Sequence, residues 1–235
     1  VLTAAWGLGP AVAQGEVVPD RYVLRRDGPV LEDVEAGRKS RMLTCSPDGD
    51  LRWQPVTPAL HSTPCLDEAQ APALARLVLR VEAALDAPVE IEWALDAEGF
   101  HLLQARRALA QTRRAPGPAS VDGVSLTGQP AGTGWAAGPA RLVLSEGDLG
   151  RVRSGDILVT RVAGPALAEI LHRVAGVVAE LGGSTSHLAA LARERRIPAV
   201  LGAADATRRI PEGARVVVDG TRGIVHIEQT DSRRR

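Results

Sequence analysis

A chain of 235 residues is long enough to bury a substantial core, in one large domain or two small ones. Its 28 Lys and Arg balance its 28 Asp and Glu, and the two signs are interspersed, so no global field recruits nucleic acid or an anionic membrane. No apolar run approaches the roughly 20 residues of a membrane-spanning helix, and no basic stretch leads into an apolar one at the N-terminus, so a cytoplasmic protein is expected.

The chain opens on Val1 rather than Met, directly into "VLTAAWGLGP", and is therefore expected to be a piece of a longer protein. Cys45 and Cys65 have neither CxxC spacing nor adjoining histidines, which argues against a zinc site and a disulfide framework. Further on, Leu74, Leu77, Val78, Val81 and Leu85 recur at helical spacing between Pro72 and Pro88 and predict a packing helix. In "VEIEWALDAEGFHLLQAR", Ile91, Trp93 and Leu95 alternate with polar positions, as in a half-buried strand. A hairpin follows, predicted with Ala97, Glu98 and Gly99 as a three-residue loop pairing Asp96 with Phe100. Counting back, Glu92 then faces Gln104 and Glu90 faces Arg106, with Leu103 on the apolar face beside Ile91, Trp93 and Leu95. A carboxylate opposite an amide oxygen suits Mg²⁺, and a guanidinium suits phosphate.

Residues 108–120 combine Pro, Gly, Ala and charge without hydrophobic period, which is the composition of a linker. About 15 such residues reach on the order of 50 Å when extended. Beyond them, strands "DILVT", "GVVAEL", "AVLG", "RVVVDG" and "GIVHI" alternate with helices near 165–174 and from His187, which predicts a compact α/β domain. Gly132, Gly134 and Gly138 are read as tight turns. His61, His101, His172 and His226 show no carboxylate or cysteine constellation, and Arg233 to Arg235 read as a solvated end.

The chemistry concentrates in "GGSTSHLAALARERRIPAVLG", residues 182 to 202. Thr185 or Ser186 caps a helix that begins at His187, so the histidine sits where unpaired backbone N–H groups and the positive helix terminus converge. Gly182 and Gly183 permit close backbone approach, while Ser184, Thr185 and Ser186 offer hydroxyl donors to phosphate. A histidine titrating near neutrality is a competent nucleophile toward phosphorus. Arg193 is placed to meet a phosphate, Glu194 or solvent.

This stretch resembles the phosphohistidine motif of the swivelling domain in phosphoenolpyruvate-utilising enzymes, the group that includes phosphoenolpyruvate synthase (pyruvate, water dikinase) and pyruvate phosphate dikinase. The resemblance runs from about residue 121 to "DGTRGIVHI", and it implies that His187 is phosphorylated. "WGLGPAVAQGEVVPDRYVL" and the 89–106 hairpin are similar to the C-terminal part of the ATP-grasp domain of the same enzymes. There, Glu92 and Gln104 would hold the magnesium of ATP and Arg106 would contact phosphate. Pro10 and Arg107 depart from the family's usual Glu and Pro.

The organisation thus expected is α/β: the C-terminal portion of an ATP-grasp domain over 1–107, a linker over 108–120, a swivelling β/β/α phosphohistidine domain over 121–228 and a tail over 229–235. The resemblance implies Mg²⁺ and ATP as cofactors and a small-molecule acceptor, pyruvate first, with the rest of the ATP-grasp domain and a phosphoenolpyruvate-binding domain outside this sequence. Two alternatives stay open at this level: a non-catalytic phosphocarrier or docking module, and a phosphotransferase acting on another small-molecule hydroxyl such as an antibiotic's.

Overall fold

The computed structural model describes residues 1–108, 123–162 and 166–228. Apart from Ala108, the expected linker lies outside the described residues, as does the tail. The chain forms two compact units, one of Val1–Val12 and Val17–Ala110, the other of Ala13–Glu16 and Gln111–Arg235.

The first stretch runs β1 (Leu2–Ala4), α1 (Pro10–Ala13), β2 (Asp20–Leu24), β3 (Leu31–Glu35), β4 (Arg41–Cys45), β5 (Leu51–Pro55), α2 (Gln70–Leu85), β6 (Val89–Asp96) and β7 (Gly99–Arg107). β1, β2 and β3 make an antiparallel sheet in that order, and β4–β5 and β6–β7 are separate hairpins. Pro10, the unusual residue after "GLG", occupies the first position of α1, where its missing N–H costs nothing and its fixed φ favours the helix. The predicted packing helix is α2. Its stripe buries Leu74 completely and Leu77 in part, against Ala4, Tyr22, Leu66, Ile91, Trp93 and Phe100. The stripe ends before Leu85, which is exposed, because Asp86 takes a left-handed conformation with φ 47° and stops the helix.

A charged pair lies inside this unit. Asp20 on β2 and Lys39 are both fully buried and ion-paired to each other. Asp20 also accepts from the backbone N–H of Gly37 (2.7 Å) and Cys65 (2.8 Å). Tyr22 sits alongside, its hydroxyl accepting from the Leu66 N–H at 2.8 Å. The network therefore ties β2, the 37–39 turn and the 65–66 segment together.

The second unit contains β8 (Gly123–Thr127), β9 (Gln129–Gly132), β10 (Trp135–Val143), β11 (Ile157–Thr160), α3 (Leu167–Ile170), β12 (Gly176–Ala179), α4 (His187–Glu194), β13 (Ala199–Leu201), α5 (Ala206–Arg209), β14 (Arg215–Asp219) and β15 (Ile224–Glu228). They build one mixed sheet in the order β8-β15-β14-β10-β11-β12-β13-β9, with β10 through β13 parallel. β11 and β12 are buried at every position, which is why they read as unbroken apolar runs. One face packs against Leu167, Ile170, Leu188, Ala189 and Ala192, and the other against Ala206 and Ile210. The architecture is α/β.

Two expectations change here. The helix foreseen near 165–174 is only Leu167–Ile170 among the described residues. Of the three glycines read as turns, Gly134 alone lies between strands, with φ 98°. Gly132 and Gly138 lie within β9 and β10, where a Cβ would stand 2.1 Å from the Ile197 carbonyl oxygen and 2.3 Å from that of Gly155. Close backbone approach is what requires glycine at both.

Candidate functional site: the histidine loop and the acidic hairpin

The loop after β12 is built by three local choices. Gly182 takes a positive φ of 94°, which turns the chain out of the strand. Ser186, in extended conformation, accepts from the Ala189 N–H at 3.4 Å and is the N-cap of α4. The helix then stops at Glu194, with Arg196 left-handed at φ 58° and Pro198 two residues on. His187 is consequently the first residue of α4, exposed, on a helix whose inner face buries Leu188, Ala189 and Ala192. Its imidazole is presented to solvent by a firmly anchored helix end.

The expected phosphate donors separate into different roles. Thr185 is exposed beside His187. Ser186 is buried and its oxygen serves the helix cap. The Ser184 hydroxyl oxygen is buried without a hydrogen-bond partner. Gly182 and Gly183 are both buried, and the Gly183 carbonyl accepts from the Ser186 N–H at 3.1 Å.

The Ser184 backbone is held from two sides. Its N–H donates to the Gln129 side-chain oxygen at 3.3 Å, and its carbonyl accepts from Arg193 Nη1 at 2.5 Å. The same Arg193 nitrogen reaches the Ala131 carbonyl at 3.4 Å. Arg193 is thus turned toward main-chain carbonyls of the loop and of β9, a destination absent from the sequence reading. Gln129 was missed there altogether, since a lone Gln in a glycine-rich stretch carries no motif.

In the first unit, β6 and β7 pair Glu92 with Gln104 and Glu90 with Arg106, as counted from sequence, but by a different route. The turn has two residues, Ala97 and Glu98, so Asp96 pairs with Gly99. The Asp96 carboxylate accepts from the Glu98 N–H (2.8 Å), the Gly99 N–H (3.2 Å) and His101 (2.9 Å), and the His101 contact foremost holds this carboxyl below its usual range. His101 therefore does have a carboxylate neighbour. Between Glu92 and Trp93 the register shifts by one through an extra residue on β7, and this bulge leaves Leu103 exposed rather than on the apolar face.

Glu92 and Gln104 are cross-strand partners, both exposed, at the separation such pairs share. A carboxylate and an amide oxygen so placed fit a hard cation that keeps most of its ligands as water or phosphate oxygen. Arg106 makes a two-nitrogen contact with Glu90 Oε2, at 3.1 and 2.7 Å, so its guanidinium is held on the same face as Gln104. Among the described residues no group of three His, Cys, Asp or Glu side chains forms a metal cluster, and no helix is long and apolar enough to cross a membrane.

Two family models match the chain. Residues 1–122 match the family "Pyruvate phosphate dikinase, AMP/ATP-binding domain", and residues 152–223 match "PEP-utilising enzyme, mobile domain". The phosphoenolpyruvate synthase of Aeropyrum pernix is 33% identical over 265 residues, covering 96% of this chain and 32% of that protein. A probable phosphoenolpyruvate synthase of Archaeoglobus fulgidus is 32% identical over 232 residues, covering 96% and 31%. The phosphoenolpyruvate synthase of Escherichia coli K12 is 29% identical, covering 97% and 31%. The chain spans about a third of the length of the curated relatives it matches. An ATP-binding domain match over the acidic hairpin and a mobile-domain match over the histidine loop leave one assignment: the chain belongs to the pyruvate phosphate dikinase AMP/ATP-binding family of phosphoenolpyruvate-utilising enzymes.

Proposed function

We propose that this chain is the phosphoryl-relay part of a phosphoenolpyruvate synthase-like phosphotransferase, in which ATP phosphorylates His187 and the phosphohistidine passes the group to a small-molecule acceptor, pyruvate. The observation that carries the reading is the exposed imidazole of His187 at the start of a buried, capped helix, behind a loop whose backbone is fixed on both sides. Such a nucleophile meets a phosphoryl group without rearranging the fold. Exposed Thr185 and the open N–H groups of the first turn of α4 supply donors to the phosphoryl oxygens. Gly182, Gly183, Ser184 and Ser186 shape the loop that presents those donors.

In the same reading residues 1–107 are the nucleotide-binding portion, 108–120 the connection, 121–228 the histidine domain and 229–235 a tail. Glu92 and Gln104 would hold Mg²⁺, which neutralises phosphate charge during transfer. Arg106 would exchange its contact with Glu90 for a phosphate oxygen, a trade between two anions of matched geometry. Phosphoryl transfer asks for positioning and charge neutralisation rather than covalent chemistry from the protein beyond the histidine itself.

The test uses the protein extended to its natural start, with Mg²⁺ and ATP labelled separately at the β and γ phosphates. Acid-labile β label on the wild type and none on His187→Ala is expected, followed by transfer of the label to pyruvate. Absence of acid-labile label from the wild type at either phosphate would refute the reading, and label that pyruvate does not discharge would refute the acceptor.

A further inference from the structure

Gln129 is the only described side chain that reaches the histidine loop from β9 and engages a main-chain N–H there. It is an uncharged polar residue with 1% of its surface exposed, at the first position of an edge strand paired to β13. A buried glutamine carries a desolvation cost that only fixed hydrogen bonds offset. Its bond to Ser184 also settles which end of the amide faces the loop, because an N–H can donate only to Oε1.

Ser184 is the residue at which the loop's path is decided. Two residues earlier Gly182 has left the strand with positive φ, and two residues later Ser186 begins the helix. Between them the Ser186 N–H donates to the Gly183 carbonyl at 3.1 Å and closes a turn, and the peptide groups of Ser184 inside that turn are held from outside it. Gln129 fixes the N–H of Ser184, and Arg193 fixes its carbonyl. Gln129 thus holds the 183–184 peptide and Arg193 the 184–185 peptide, which constrains the backbone of Ser184 between them and with it the course of the chain into Thr185 and His187. The Ser184 hydroxyl meanwhile stays buried and unpartnered, so it does not supply this anchoring.

We propose that Gln129 is a positioning residue for phosphoryl transfer at His187: by accepting the Ser184 N–H it orients the loop that carries the nucleophile, without touching the phosphoryl group. The inference rests on the proposed role of His187, and it adds a residue from a strand more than fifty positions upstream to that site. It also removes one amide from those available to phosphate, because the Ser184 N–H is already committed. The phosphoryl oxygens are left to the exposed side of the loop.

Two measurements test this. In the 235-residue chain, the Ser184 amide resonance of Gln129→Met is compared with wild type, methionine keeping the side chain's length while removing the strong acceptor. An upfield amide-proton shift of Ser184 and faster exchange at that site are expected, with α4 retaining its wild-type resonances beyond its first turn. In the protein extended to its natural start, Gln129→Met is expected to lower the rate of His187 labelling at saturating ATP about tenfold, while the KM for ATP stays unchanged. A merely structural role would lower the melting temperature without this split between labelling rate and KM. An unaltered Ser184 resonance, or an unaltered labelling rate with wild-type labelling intact, overturns the proposal. Failure of the wild type to label refutes the phosphohistidine reading instead, and leaves the Ser184 resonance to decide whether Gln129 anchors the loop.

Discussion

The buried pair of Asp20 and Lys39 gives the sharpest stability prediction. Neither side chain has any exposed surface, and Asp20 is the single anion that serves the Lys39 ammonium, the Gly37 N–H and the Cys65 N–H. Lys39→Met leaves a buried carboxylate with two amide bonds and no countercharge. Asp20→Asn leaves a buried ammonium. Removing one partner of such a pair costs about 3–5 kcal/mol, most of it the cost of the stranded charge. A domain of this size holds about 5–15 kcal/mol in total, so either variant brings the first unit close to its unfolding threshold. The double variant Asp20→Asn/Lys39→Met strands no charge, and asparagine still offers an acceptor to one amide. It should therefore cost at least about 2 kcal/mol less than the sum of the singles. The assay is urea unfolding followed through Trp93, whose ring packs edge-on against Phe100 at 5.8 Å in the core that adjoins the pair. Single variants within about 1 kcal/mol of wild type, or a strictly additive double, would refute this account.

The same network sets the alkaline behaviour. Burial, reinforced by the charge of Asp20, pushes the Cys65 thiol up, and burial pushes the Tyr22 phenol up. The folded form thus keeps these protons where the unfolded chain releases them, near about pH 8.5 for a thiol and about 10 for a phenol. The stabilisation is complete below pH about 8.5 and declines as pH rises beyond it, so urea midpoints of the first unit should fall between pH 8 and 10.5 and stay level if the shifts are absent. Both cysteines are free, and exposed Cys45 should react with a thiol reagent at pH 8 far faster than Cys65; equal labelling rates would refute this. Gly220→Ala should destabilise the second unit by more than about 3 kcal/mol, because the new Cβ would stand 1.8 Å from the Gly132 carbonyl oxygen and 2.6 Å from the Ala199 nitrogen. A melting temperature unchanged in that variant would mean the backbone can separate there. Ser186→Ala should cost about 1 kcal/mol through loss of the α4 cap, measured by the same unfolding curves, and no loss would remove Ser186 from the cap.

The acidic hairpin shows how far period and turn chemistry carry a sequence reading. Glu92 opposite Gln104 and Glu90 opposite Arg106 were legible, but only because two departures cancel. The turn is one residue shorter than Gly99 suggested, since the Asp96 carboxylate caps both amides of a two-residue loop. The bulge at Leu103 then returns the missing residue. Alternation alone cannot reveal a bulge, because an apolar residue pushed to the surface looks like any other apolar residue. The long parallel core was legible for the opposite reason, since strands buried on both faces are apolar throughout. The strands of the glycine-rich segment were not, because Gly132 and Gly138 serve close backbone approach within strands and carry the same letter as a turn.

Residue type located the histidine loop, but geometry assigned its parts. Three adjoining hydroxyls and two glycines read as one cradle of equal donors. In the fold, one hydroxyl caps the helix, one is buried without a partner and one is exposed next to His187. The division follows from the helix itself: once Ser186 turns inward to cap, Thr185 lies on the solvent side, and Ser184 falls where β9 and Arg193 can grip its main chain. Rigidity of the loop is thereby supplied from outside it, by a strand and by the far end of the same helix. In the proposed relay, where His187 would meet a nucleotide at one moment and an acceptor at another, such an arrangement would be an advantage, because these contacts lie within the unit that carries the histidine.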